Sequence, residues 1–362
     1  MNNELKENKI KKAKNSVKPF VYNIPSISEV AIRFIILLML QIGMLFITKS
    51  YEAIIVILFA FLGALLAAGL NHIINREPLY NITNIIIPGI FIGMLLPQSY
   101  PPLVVFVISA FTIFISRSIV FKGINSWLNI SSLAIIVAWF IGKEYFPPFQ
   151  LNTSIIALRN SSVYLIENGV FPIYSFDSTI TNFLNKYIFN FFNVTVPEGF
   201  ISMMWDTHSM IPAFRFNIIT IISSIIIFSD KAFSLIIPSV FLTVYLLFVR
   251  LFGTFLFGGY FNQGDMILAL FTSGILFCAT FLIQWYGTIP VTWHGKLVLG
   301  IISGITAFVL IGSGTSPVGM VFTVIISNIC CMLIRIFEEK NNDISTGKVL
   351  DKLSLKMQME PK

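Results

Sequence analysis

The stretch Ala53–Ile74, AIIVILFAFLGALLAAGLNHII, decides the fold. It contains no Asp, Glu, Lys or Arg. A helix needs about 20 mainly apolar residues to cross the hydrocarbon layer of a membrane. A helix at a soluble surface keeps one polar face, and this stretch has none. Similar apolar stretches lie at about 29–48, 81–97, 101–120 and 126–143. After a long gap, others follow at about 210–229, 233–252, 265–285, 296–312 and 316–336. The expectation is an all-α polytopic membrane protein with ten spans, five on each side of the gap.

Composition agrees. The chain of 362 residues is 56% hydrophobic and only 11% charged, where a soluble domain carries about a quarter charged residues. Thirty-six phenylalanines and few acids exclude a disordered or nucleic-acid-binding chain. The three cysteines, Cys278, Cys330 and Cys331, lie inside apolar runs without CxxC spacing. They read as buried thiols rather than as metal ligands.

Charge sets the orientation, because cytoplasmic segments collect Lys and Arg. With the N-terminus inside, the inner segments hold seventeen basic residues and the outer ones five. The inner set includes the lysine-rich start and Arg76, Arg117, Lys122, Lys231, Lys296, Arg335 and Lys340. The outer set is Lys49, Lys143, Arg159, Lys186 and Arg250. Arg33 and Arg215 sit near span ends, where they can snorkel. The layout expected is a cytoplasmic basic tail (1–28), a five-helix repeat (29–143), an extracytoplasmic loop with an amphipathic helix (144–209), a second five-helix repeat (210–336) and a charged cytoplasmic tail (337–362).

Five spans per half insert the second half upside down relative to the first. Glycines interrupt the third span (Gly89, Gly93) and the eighth (Gly274). Inverted repeats with broken helices suggest a midplane ion or substrate site; glycines that only permit close packing are the competing reading. Asp265, at the start of the eighth span, is either part of an ion route or a helix N-cap. His72, His208 and His294 share no metal-ligand spacing, and there is no P-loop, GxGxxG or GxSxG motif. Trp139, Trp205, Trp285 and Trp293 fall near span ends, as interfacial tryptophans do.

In the gap, FDSTITNFL (Phe176–Leu184) stands out as polar. Asp177 suits an N-cap. Ile180, Phe183, Leu184, Tyr187, Ile188 and Phe191 then recur at helical spacing, giving an amphipathic helix of about four turns on the membrane surface.

The loop Thr288–Lys296, TIPVTWHGK, leads from one span into the next. With GDMILALFTSG before it, PVGMVFTVIISN (Pro317–Asn328) after it and NITNIIIPGIFIGMLLPQSYPP (Asn81–Pro102) in the first half, it resembles the RnfD/NqrB family over about residues 28–337. Members are membrane subunits of ion-pumping electron-transfer complexes. The resemblance implies a bacterial cytoplasmic membrane with both termini inside, partner subunits that supply the redox energy, and coupling to sodium or proton movement. It also implies an FMN joined by a phosphoester to a threonine on the outer side, made by a flavin transferase. The family motif is Ser-Gly-Ala-Thr-Pro-Leu after an Asp. Its counterpart is Ser178 to Phe183, with Thr181 as acceptor and Asp177 before it. A second family segment, Gly-Glu-Thr-Ser, has its counterpart in WDTHS (Trp205–Ser209), with Asp206 as the acid. Thr179-Ile180 replaces the small Gly-Ala pair, and stiff Ile180 can obstruct a bulky FAD phosphate. A flavin-free transporter or channel on the same scaffold is the alternative.

Overall fold

A computed structural model of the chain describes residues 27–75, 82–120, 128–147, 153–229, 233–284, 289–314 and 316–359. The first part of the basic tail, together with Arg76, Lys122, Lys231, Trp285 and Thr288, lies outside the described residues.

Helix α1 spans Ile27–Ile47 and α2 spans Tyr51–Asn75. On α2, Ala53, Ala60, Ala64 and Ala67 are buried, whereas Ile55, Leu58, Leu62 and Leu66 are exposed. Small residues thus face the neighbouring helices, and large apolar ones face outward. An outward face of this kind suits lipid and not water.

The first half continues with α3 (Ile82–Leu95), α4 (Pro102–Ile115, wound on as a π turn Ser116–Val120) and α5 (Ile130–Ile141). Gly89 and Gly93 of α3 press against Ala64 and Ile57 of α2, where a Cβ would collide. Gly63 of α2 meets the Phe106 carbonyl of α4, and the Ser109 hydroxyl donates to Ala60 O at 2.7 Å. Asn129 caps α5 by accepting from the Ser131 and Ser132 amides.

The second half holds α9 (Asn217–Phe228), α10 (Ile236–Phe252), α11 (Met266–Thr272), α12 (Trp293–Ile311) and α13 (Gly319–Met359). Gly300 and Gly304 of α12 pack on Val240 and Val244 of α10. Between α11 and α12 the chain breaks at Gly274, with φ +69°, then makes one turn (Ile275–Phe277) and a π turn (Cys278–Leu282).

The two halves meet through polar and aromatic links. Asn129 donates to Leu282 O at 3.4 Å, and Gln41 on α1 donates to Thr220 on α9 at 3.0 Å. Phe34, Phe91, Phe277 and Phe281 form a buried ring cluster, with centroids 4.9–6.0 Å apart across the seam.

The apolar stretches read from sequence all carry helix, but not all of it is long. Among the described residues, four helices, α1, α2, α12 and α13, have the length and apolarity to cross a membrane. The others are shorter: α5 and α9 have 12 residues each, about 18 Å at 1.5 Å per residue. Pro and Gly account for the shortfall in the sixth and eighth stretches, and the Asn129 cap sets the start of α5. A 3-10 turn at Pro212–Phe214 precedes α9, and Gly274 divides the eighth stretch. At the C-terminal end the difference is reversed. The expected charged tail is helical, so that α13 runs 41 residues.

The TIPVTWHGK loop is clamped from α13. The Glu338 carboxylate accepts from the Val291 amide (2.8 Å), the Thr292 amide (3.0 Å) and the Thr292 hydroxyl. Thr292 in turn caps α12 through the Gly295 amide at 3.0 Å. Gly295 has no Cβ because Glu338 occupies that space.

The segment between the halves is more structured than a loop with one helix. It folds into a single turn (Thr153–Ile156), α6 (Ser161–Glu167), α7 (Asp177–Tyr187) and α8 (Phe200–Trp205). Ile156, Leu165, Ile166, Phe171 and Met203 form a small core there with Leu268 of α11.

Candidate functional site

Asp177 is the centre of the inter-half segment. Its side chain is fully buried, although it belongs to the first turn of α7. The expected N-cap is not what forms: Phe176 takes the cap position, without a side-chain hydrogen bond. The carboxylate turns instead to α8. Oδ1 accepts from the Gly199 amide (2.9 Å) and the Thr181 hydroxyl (2.9 Å). Oδ2 accepts from the Ser202 amide (2.6 Å) and the Ser202 hydroxyl (2.6 Å). The Gly199 and Ser202 amides are donors that a short helix leaves without partners at its start, so Asp177 caps α8 from a distance. Burial alone would raise the Asp177 pKa; the hydrogen bonds from Gly199, Ser202 and Thr181 outweigh it and hold the carboxyl below its usual range.

Thr181 lies one helical turn after Asp177 and is 2% exposed. Ser178 is half-buried, and Thr179 and Ile180 are exposed. The amphipathic helix is present but ends at Tyr187, three turns long, before a 3-10 turn at Phe189–Phe192. Its apolar face points outward: Ile180, Phe183, Tyr187, Ile188 and Phe191 are exposed. Asn185 fastens the returning chain by bonding both the amide and the carbonyl of Val196 at 2.9 Å.

The Ser202 hydroxyl also accepts from the Tyr174 amide at 2.9 Å, which carries the network to a cavity. This cavity has a volume of about 520 Å³ and is walled by Tyr174, Trp205, Asp206, His208, Gln98 and Ser50, among others. Phe176 stacks on Tyr174 (5.5 Å, 12°) and meets Trp205 edge-on (5.7 Å). Asp206, 1% exposed, binds Arg215 through both oxygens: Nε to Oδ1 at 3.0 Å and Nη2 to Oδ2 at 2.6 Å. The His208 amide adds a third bond at 2.8 Å. His208 adopts φ 53°, an uncommon conformation for a residue with a side chain. Arg215 also donates to the Ser50 hydroxyl at 2.5 Å. It is 6% exposed, so it does not snorkel. Burial, then the Asp206 charge, pushes the Tyr174 hydroxyl upward against the opposing pull of Arg215.

The residues singled out from sequence fall into separate places. Asp177 and Thr181 touch. Asp206 lies in the adjoining cavity, joined to them through Ser202 and Tyr174. Asp265 caps α11 by accepting from the Leu268 amide at 3.0 Å, and it also accepts from the amide (2.8 Å) and hydroxyl of Ser162 on α6. Gly89 and Gly93 are in the α2–α3 contact, and Gly274 abuts the Phe214 ring beside Arg215. Sequence reading missed Ser202, Tyr174 and the role of Arg215. Apart from Thr181, the partners of Asp177 are 22 and 25 residues away, beyond any local motif.

A phosphoester on Thr181 does not fit this arrangement, because the hydroxyl is enclosed and committed to Asp177. The cavity is of ordinary ligand size. Its polar wall combines one buried cation and one buried anion, which suits a ligand without strong net charge.

No curated protein matches the chain. The family model described as the NQR2, RnfD, RnfE family matches residues 14–342, which include both helical halves, the segment between them and the clamped TIPVTWHGK loop. The chain belongs to the NQR2, RnfD, RnfE family.

Proposed function

We propose that this protein is a membrane subunit of an Rnf/Nqr-type complex and helps couple electron flow to sodium or proton movement. The observation that carries the coupling reading is the recurrence of one packing scheme in the two halves. The second helix of each half packs closely on the fourth, α2 on α4 and α10 on α12, through glycines. The third stretch of each half carries a helix breaker, Pro88 in α3 and Gly274 after α11. That is the pattern expected of an inverted repeat with a site between its halves. Electrons would come from partner subunits, since the chain has no nicotinamide or iron–sulfur motif.

Purification from the native membrane in mild detergent tests this reading. Other membrane and peripheral subunits of an electron-transport complex are expected to co-purify. Recovery of the chain alone would sink the proposal and favour the second reading, a flavin-free transporter or channel on the same scaffold. The enclosure of Thr181 is the observation that favours that alternative.

The seventeen-to-five distribution of basic residues supports cytoplasmic termini and an inter-half segment on the outer side. A Glu167→Cys chain reports on this directly, because residue 167 is exposed at the end of α6. In intact cells the cysteine is expected to react with a membrane-impermeant thiol reagent. Protection until the cells are opened would reverse the orientation.

A further inference from the structure

We propose that Thr181 is a structural hydroxyl that carries no flavin, and that with Asp177 it forms a knot fastening α7 to the start of α8. Two independent features support this: enclosure and saturation. Thr181 is 2% exposed and Asp177 is fully buried. Each Asp177 oxygen already accepts two hydrogen bonds, so the carboxylate has one partner for each of its ordinary acceptor sites.

Flavin attachment would undo this. The Thr181 oxygen would have to bond to the FMN phosphorus of FAD while the phosphoanhydride bond to AMP breaks. The hydroxyl proton would have to pass to a base. The group next to that proton is Asp177, whose oxygens are engaged by the backbone of α8 and by Ser202. Turning Thr181 outward would remove one of four hydrogen bonds from a buried carboxylate, and an under-bonded buried charge is costly. Exposure within the same stretch runs the other way: Thr179 and Ile180 are open, and Thr181 alone of the two threonines is enclosed.

The knot has a function of its own. Ser202 receives the Tyr174 amide, and α8 ends in Trp205, so fixing the start of α8 sets two walls of the neighbouring cavity. Thr181 is therefore a positioning residue for the cavity.

The test is co-expression of the full chain with an active flavin transferase, alongside a substrate protein that the transferase is known to modify. The substrate is expected to fluoresce in a denaturing gel; this chain is expected to show no fluorescence and the intact mass of the bare polypeptide. Thr181→Val is expected to lower the melting temperature by several degrees, whereas Thr181→Ser, which keeps the hydroxyl, and Thr179→Val, which alters an exposed site, melt like the parent. A mass gain of one FMN less water, mapped by peptide to residue 181, overturns the proposal. So does an unchanged melting temperature for Thr181→Val. If that variant does not accumulate, the parent's mass and the recovery of Thr181→Ser still decide. These outcomes are separate from co-purification with other subunits, which tests membership in a complex.

Discussion

Asp206→Ala is expected to destabilise the protein by about 3–5 kcal/mol, the usual cost of breaking a buried ion pair from one side. The reason lies in what is left behind. Arg215 is 6% exposed, and two of its nitrogens bond to Asp206. Without the carboxylate, a buried guanidinium retains the Ser50 hydroxyl and the face of the Phe216 ring (5.1 Å to its centroid) as neighbours. The His208 amide loses its acceptor as well. Thermal unfolding in detergent measures the loss. The double replacement Asp206→Leu with Arg215→Met is expected to recover most of it, because a well-packed apolar pair often equals a buried ion pair. A single variant within about 0.5 kcal/mol of the parent, as surface sites behave, would mean that the pair is solvated.

Gly264→Ala is the second large effect. A Cβ at this position would run into the carbonyl of Val249, with Arg250 Cα on the same side. All of these are backbone atoms, so no rotamer change relieves the overlap. The contact is also hydrogen-bonded both ways: the Gly264 amide donates to Arg250 O (3.1 Å), and the Arg250 guanidinium donates to Gly264 O (3.3 Å). Overpacking costs about 1–3 kcal/mol where side chains can adjust, and this site is expected to reach or exceed the top of that range. The next residue, Asp265, caps α11 and holds Ser162, so the shift would loosen two elements. Gly43 is the control, because a Cβ there meets nothing within 4 Å. Gly43→Ala, one turn before the end of α1, is expected to be neutral or stabilising by about 0.5–1 kcal/mol. Equal recovery of folded protein for the two variants, measured by size-exclusion chromatography, would rule out the close approach at Gly264.

Both predictions concern contacts that the sequence hides. Apolar runs and their helical period follow from local composition, so every stretch such as Ala53–Ile74 was legible. The break at Gly274 was legible as well, since glycine tolerates a φ of +69°. Asp265 as an N-cap could be read because its donor, the Leu268 amide, lies three residues on. The Asp177 network could not be read, because three of its four donors belong to the segment at the start of α8. The same holds for Arg215: a basic residue near a span end looks like a snorkelling one until the turn at Pro212–Phe214 folds it back on Asp206. The face of α7 was legible only in outline. Its apolar residues keep helical spacing and point outward, as a helix on a membrane surface requires. The polar pair Asp177 and Thr181 is the buried side, held there by the amides at the start of α8.

Helix α13 runs without a break from Gly319 to Met359. Glu338, near its midpoint, grips the loop that enters α12. The part beyond Glu338 reaches about 30 Å at 1.5 Å per residue. Such a rod is a lever with its fulcrum at the loop. A force of a given size applied at its free end exerts a torque on the α12 entrance that grows with that reach, so a partner bound there could tilt α12 without touching it.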